Sequence, residues 1–124
     1  MPVRVVDASA LGALVFGEAK AEEIARTLGD SPMAAPALIW FEVASICLRK
    51  IKAHPAQREQ ILRAFMMAGK LAIEIVEVDH RAVVNLADET GLTTYDASYL
   101  WLARHLKGEL ITLDGKMQRA AKSL

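Results

Sequence analysis

Residues 3–18, VRVVDASALGALVFGE, decide the fold because they join a β-branched strand to a helix through a single carboxylate. Val3, Val5 and Val6 predict a buried strand at 3–7, and the apolar residues that follow predict a helix at 9–15. Asp7 stands where this first strand ends. A charged side chain at the carboxyl end of a core strand is uncommon and therefore needs a structural or functional explanation.

The composition indicates a globular protein and excludes several classes. The 124 residues are 53% apolar and 24% charged, with a formal net charge of zero. This balance argues against disorder and against nucleic-acid binding through a strong overall positive field. No apolar run approaches the roughly 18 residues of a membrane span, so we expect no membrane partner, no signal peptide and a cytoplasmic location. The lone Cys47 excludes an internal disulfide.

Short strands are predicted to alternate with helices along the chain. The strands are expected at 3–7, 33–36, 72–78 and 109–113, and the helices at 9–15, 18–28, 38–52, 56–68, 80–90, 95–107 and 115–121. Glycines that follow four of these helices are expected to be left-handed C′ residues, namely Gly29, Gly69, Gly91 and Gly108. This order predicts one α/β domain over residues 1–124, a three-layer α/β/α sandwich with a short parallel sheet of four to five strands.

Acidic residues recur where such a sheet binds ligands. Asp7 ends the first strand, Asp114 follows the last strand, and Asp96 lies in the first turn of the 95–107 helix. Ligands of an open parallel sheet bind outside the carboxyl ends of its strands, near a topological switch point. We therefore expect Asp7 and Asp114 to share one edge of the sheet.

The helix at 38–52 is apolar around more than half of its circumference. A surface helix normally shows an apolar stripe just over about 100° wide, so we expect this helix to be covered on two sides, by the core and by a partner subunit. Glu42, Ser45 and Arg49 share the remaining polar stripe, which only Leu38 interrupts. Glu42 is thus expected to face a polar cavity.

Each acid also has a purely structural explanation. Asp7 fits a helix N-cap, Asp96 fits a capping box with Thr93, and Asp114 fits an Asx turn or N-cap. Glu42 fits an ordinary solvated helix acid. The convergence of the acids on one edge of one sheet favours a functional site over a set of separate coincidences.

Several other residues have both a structural and a functional interpretation. Thr112 fits an ordinary strand residue as well as a ligand, and Trp101 fits packing or an interface better than base stacking. Basic side chains are interpreted as solvated faces, with an RNA-binding rim as the alternative; they are Arg49, Lys50, Lys52, Arg104, Lys107, Lys116, Arg119 and Lys122.

Four segments occur in order along essentially the whole chain: VVDASALGALVFGE, APALIWFEVAS, GLTTYDASYLWLA and LITLDGKM. Together they resemble the PIN domain and, within it, the VapC-type toxins of bacterial toxin–antitoxin pairs. The resemblance implies a PIN-like fold and a metal-dependent ribonuclease whose product carries a 5′-phosphate. It maps the four metal-binding acids of the family onto Asp7, Glu42, Asp96 and Asp114, and the hydroxyl near the metal onto Thr112.

The chemistry of these residues agrees with the implied role. A carboxylate cluster without His or Cys suits Mg²⁺, with Mn²⁺ expected to substitute, and does not suit zinc. We expect Asp7 and Asp96 to hold the main metal ion. Asp114 and Glu42 are expected to hold a second ion or to orient its waters, and Thr112 to support the ligands by hydrogen bonding.

The expected partners are an RNA substrate, a second copy of the chain and a cognate antitoxin protein, which the resemblance implies. The antitoxin is expected to insert a basic side chain among the acids, and the homodimer is expected to form through the 38–52 helix. Two other functions stay open. A non-catalytic PIN-like binding or assembly module is disfavoured by the four intact acids. Another Mg²⁺-dependent phosphoryl-transfer domain is disfavoured because no second acid accompanies Asp7 on the first strand.

Overall fold

The computed structural model describes residues 2–123, in which short strands alternate with helices as predicted. The strands are β1 (Arg4–Val6), β2 (Met33–Ala35), β3 (Ile73–Ile75) and β4 (Glu109–Ile111). The helices are α1 (Ala8–Val15), α2 (Ala21–Leu28), α3 (Leu38–Ala53), α4 (Arg58–Ala68), α5 (His80–Thr90), α6 (Thr94–His105) and α7 (Gly115–Ser123), with a short 3₁₀ turn at Pro55–Gln57. Each strand is shorter than its predicted range, and none of the described helices is long and apolar enough to cross a bilayer.

The four strands form one parallel sheet in the order β3–β2–β1–β4. On one side of β1, Arg4 is in register with Met33 of β2. On the other side, Val6 is in register with Ile111 of β4. The predicted α/β class and parallel sheet are therefore confirmed, with four strands.

The order of the strands explains why helices cover both faces of the sheet. The chain moves from β1 outward to β2 and β3 and then returns past β1 to add β4. Because parallel crossovers are right-handed, this reversal places α1–α4 on one face and α5–α6 on the other. Contacts among α1, α2, α3 and α4, and between α5 and α6, agree with this division. The reversal also makes the β1–β4 junction the switch point where ligand crevices form.

Three of the four glycine predictions are wrong. Gly91 is left-handed as expected, with φ 75° and ψ 7°. Gly29 has a positive φ of 50° but a ψ of −131°, outside the left-handed helical region, and Gly69 has a φ of −63°. At the end of α6 the residue before Gly108 has the positive φ, 53°. Gly108 is needed for a different reason, since a Cβ atom there would lie 2.5 Å from the carbonyl oxygen of Val3. The close approach of two adjacent strands therefore explains this glycine.

The helix α3 has a buried apolar face and an uncovered one. Ile39, Val43 and Cys47 are buried in the core. On the outer side, Phe41 and Leu48 are 78% and 51% exposed. The prediction that the core covers one side of this helix is confirmed, and the second apolar side is open in the single chain.

Candidate active site

A cavity of about 390 Å³ lies outside the carboxyl ends of β1 and β4. It is lined by Asp7, Glu42, Asp96 and Asp114, which come from the end of β1, from α3, from the first turn of α6 and from the residue before α7. The structure thus brings together the four acids predicted from separate segments. The other residues that line the cavity are Ala8, Ser9, Ser45, Ile46, Arg49 and Tyr99.

Asp7 is buried, with 5% of its surface exposed, and is held by three hydrogen bonds. Its Oδ1 accepts the Ser9 hydroxyl at 2.7 Å and the Ala10 N–H at 3.0 Å, while Oδ2 accepts the Thr112 hydroxyl. The bond from Ala10 caps α1, so the N-cap interpretation is confirmed. A carboxylate has about four acceptor sites, so Oδ2 keeps one for a further ligand.

Ser9 and Thr112 hold Asp7 from two sides, and Ser9 is a residue that sequence analysis missed. The Ser9 hydroxyl accepts the Leu113 N–H at 2.9 Å, and the Thr112 hydroxyl accepts the Asp114 N–H at 3.0 Å. Because each hydroxyl oxygen is occupied by a backbone donor, its own proton is directed to Asp7. The spacing D-x-S was the available signal, since a hydroxyl two residues after an acid can fold back on it.

Glu42 is held from the opposite side of the cavity by Tyr99 of α6. The Tyr99 hydroxyl donates to Oε1 of Glu42 at 2.5 Å, and Tyr99 is 1% exposed. Burial raises the pKa of this phenol, so it stays protonated and acts as a donor. Sequence analysis missed Tyr99 because a buried tyrosine resembles any core aromatic. Its i, i+3 spacing from Asp96 was the available signal, since residues so spaced share a helix face.

Asp96 and Asp114 both begin helices. Thr93 is the N-cap of α6, and its hydroxyl accepts the Asp96 N–H at 3.1 Å. Oδ1 of Asp114 accepts the N–H groups of Lys116 at 2.8 Å and Met117 at 3.2 Å. The Asx-turn or N-cap interpretation of Asp114 is therefore confirmed together with its place at the cavity, because a capping carboxylate can bind the backbone with one oxygen and a ligand with the other. Of the capping box predicted for Asp96, the bond from its N–H to Thr93 is present.

The pattern of residues in this chain matches that of a known family. The sequence model of the PIN domain matches residues 4–123. The chain belongs to the PIN domain family. PIN domains are generally nucleases and typically use divalent metal ions.

The fold of this PIN domain is shared with a solved structure. The crystal structure of PAE2754 from Pyrobaculum aerophilum matches it with a TM-score of 0.80 and 23% sequence identity, covering 98% of this chain and 86% of that one. At this identity the likeness shows the fold alone. No curated protein matches the chain.

Burial and mutual repulsion raise the pKa of three acids in this PIN domain. Loss of hydration is the main cause at Asp7, Glu42 and Asp96. Asp114 further raises the pKa of Asp7 and Asp96, and Asp96 and Asp7 further raise that of Glu42. Lys116 partly offsets the repulsion at Asp96. The carboxylates therefore repel one another electrostatically, and a bound cation would reduce this repulsion.

The donor set fits a hydrated, hard divalent cation. The side chains lining the cavity include four carboxylates and no imidazole or thiol. Within residues 2–123, no group of three or more His, Cys, Asp or Glu side chains is arranged so that it could by itself hold a metal ion. Zinc is usually enclosed by such a cluster, whereas Mg²⁺ keeps several waters and takes one or two carboxylates directly. The donor types at the cavity therefore favour Mg²⁺ or Mn²⁺, with water molecules completing the coordination, over zinc.

Proposed function

We propose that this PIN domain is a Mg²⁺- or Mn²⁺-dependent endoribonuclease and the toxin of a toxin–antitoxin pair. The observation that carries the proposal is the single cavity lined by carboxylates from four separate segments at the switch point of the sheet. Membership of the PIN domain family supports nuclease activity. The resemblance of this sequence to VapC-type toxins supports RNA as the substrate.

Each site residue has a role in the proposed reaction. Asp7 and Asp96 bind the main metal ion, while Asp114 and Glu42 bind a second ion or orient water. Ser9 and Thr112 keep the Asp7 carboxylate in place through their hydroxyl protons. A bound Mg²⁺ or Mn²⁺ would neutralise phosphate charge and would lower the pKa of the water that attacks phosphorus.

Digestion of total cellular RNA tests this function directly. The purified protein is incubated with RNA in Mg²⁺, in Mn²⁺ and in chelator, and the ends of the fragments are mapped. Cleavage at defined positions, present with either metal ion and absent in chelator, is the expected result. Intact RNA under all conditions would overturn the nuclease proposal and favour a binding or assembly module.

We propose that the cognate antitoxin places an arginine among the four acids. A guanidinium can bind a carboxylate in two places, and clustered acids attract it strongly. The bound antitoxin then competes with metal ion or RNA for the same cavity. Asp96→Arg should weaken antitoxin binding through charge repulsion, and equal binding of the variant and the natural protein would contradict insertion into this cavity.

A second copy of the chain is the other proposed protein partner. The outer side of α3 exposes Leu48, a large apolar side chain with 51% of its surface accessible, which a second copy would cover. We assign the dimer contact to the part of α3 around Leu48. A two-fold axis there would bring two acidic cavities near each other.

A further inference from the structure

We infer that the acidic cavity continues into an aromatic subsite that stacks one nucleobase of single-stranded RNA beside the scissile phosphate. The inference rests on the proposed function and deepens it. A second cavity, also of about 390 Å³, is lined by Leu38, Phe41, Glu42, Ser45 and Tyr95. Because Glu42 and Ser45 line both cavities, the two spaces adjoin.

Two exposed aromatic rings flank this second cavity. Phe41 is 78% exposed and Tyr95 is 64% exposed. Each ring directly precedes a site acid in the chain, Phe41 before Glu42 on α3 and Tyr95 before Asp96 on α6. Neither ring stacks on another aromatic side chain within residues 2–123. Both rings are therefore available to a planar partner that enters beside the carboxylates.

A positive charge lies at the other end of the same surface. Arg49 is exposed, lines the acidic cavity and forms no ion pair with any residue from 2 to 123. It follows Phe41 by eight residues on α3, which is about 12 Å along the helix axis. Its planar guanidinium suits a phosphate group. Phe41, Glu42 and this cation therefore follow one another along α3.

A single strand of RNA matches this order of groups. Its bases are free to stack on aromatic rings, whereas the bases of a duplex are already stacked inside the helix. Its phosphates can pair with the positive charge of Arg49 and can bind a metal ion held by the carboxylates of the cavity. A second protein copy could bury the apolar ring of Phe41, but it would bring no phosphate group to pair with Arg49. We therefore assign the subsite to a nucleobase.

Paired substitutions test whether stacking is the interaction. Initial cleavage rates are measured on a fluorescently labelled, short single-stranded RNA of random sequence in Mn²⁺. Phe41→Leu and Tyr95→Leu keep apolar bulk but remove the ring, and each should raise KM at least about fivefold, the lower end of the contribution of one stacked base. Phe41→Trp should restore KM because it restores a ring. The matched control is Val84→Ala on α5, an exposed apolar residue that lines neither cavity and should leave KM unchanged.

Fluorescence anisotropy of the same RNA separates this inference from the proposed function. Normal cleavage with unchanged KM and Kd in both leucine variants would overturn the subsite alone. If no cleavage occurs but RNA binding depends on the two rings, the nuclease proposal is overturned and the subsite is retained. If no cleavage occurs and RNA binding is absent or does not depend on the rings, both proposals are overturned. If Phe41→Leu changes the mass in solution and leaves KM unchanged, the surface is a contact between copies and the subsite is wrong.

Discussion

Tyr99 on α6 donates its buried hydroxyl to Glu42 on α3 at 2.5 Å and so joins helices from opposite faces of the sheet across the acidic cavity. This bond fixes the direction of the one site acid that lies in the middle of a helix. Asp7 and Asp114 are held instead by backbone N–H groups at the N-termini of α1 and α7. Glu42 therefore depends on Tyr99 more than Asp7 or Asp114 depends on any single side chain.

Tyr99→Phe should reduce metal-dependent cleavage by about 10- to 100-fold, the usual effect of losing a group that orients a metal ligand. The ring keeps its place in the core, so the loss in stability should be only about 1 kcal/mol. Cleavage kinetics, Mn²⁺ titration and thermal melting check these expectations together. Full activity at unchanged Mn²⁺ affinity would show that Glu42 needs no such support.

Removal of the hydroxyls that hold Asp7 should weaken Mn²⁺ binding. Ser9→Ala and Thr112→Val each remove one donor to Asp7 and leave a backbone N–H without its acceptor, at Leu113 or Asp114. Each should also lower stability by about 1–3 kcal/mol. Thr112→Ser is the matched control because it keeps the hydroxyl. Equal Mn²⁺ affinity in Thr112→Val and Thr112→Ser would mean that the hydroxyl has no part in positioning the acid.

The stability of the metal-free protein should depend on pH in a defined direction. Burial raises the pKa of Asp7, Glu42 and Asp96 in the folded state, so this state binds more protons than the unfolded chain above the ordinary carboxyl range. The contribution of these groups is complete below the unfolded pKa and is lost as pH rises through the folded pKa. Mn²⁺ should restore the loss because it binds only the folded form.

Asp7→Asn is the control that isolates this effect from the other carboxyl groups of the chain. In chelator, the melting temperature of the natural protein should fall relative to that of Asp7→Asn as the pH rises above the ordinary carboxyl range of about 4, and the variant should melt higher at neutral pH. Added Mn²⁺ should raise the variant less. If the variant melts lower in chelator and the natural protein shows no shift with Mn²⁺, Asp7 acts only as the cap of α1.

The proposed dimer predicts a separate effect at Leu48. Leu48→Glu places a charge on the exposed apolar side of α3 and should convert the protein to a monomer at micromolar concentration, because burying an unpaired charge opposes association. Light scattering measures this directly. Val84→Glu on α5 is the matched control and should leave the mass unchanged. A monomeric natural protein at high micromolar concentration would contradict the dimer.

The order of the elements and the approach of the acids could be predicted because local signals determine them. β-Branched runs such as Val5-Val6 indicate strands, and the direction of a parallel sheet brings Asp7 and Asp114 to one edge whatever the side-chain details. The polar stripe of α3 likewise predicts that Glu42 faces a cavity, and Glu42 does line it.

The contacts between distant side chains could not be predicted in the same way. The bond from Tyr99 to Glu42 joins residues 57 positions apart, and the bond from Thr112 to Asp7 joins residues 105 positions apart. Such bonds depend on rotamers and on the packing of two helix layers, which no local pattern reports. Gly108 shows the same limit, because the residue that leaves no room for a side chain there is Val3, just before the neighbouring strand β1.

In the proposed reaction the four acids act together on a phosphodiester bound through a metal ion, and single amide substitutions test this role most directly. Cleavage of RNA in Mn²⁺ is compared among the natural protein, Asp7→Asn, Asp96→Asn and the exposed control Asp88→Asn on α5. We predict that Asp7→Asn and Asp96→Asn lose activity by orders of magnitude, as is usual when a metal ligand is removed, while both stay folded and Asp88→Asn stays active. Near-normal cleavage by both site variants would contradict the proposed metal-binding role of these acids.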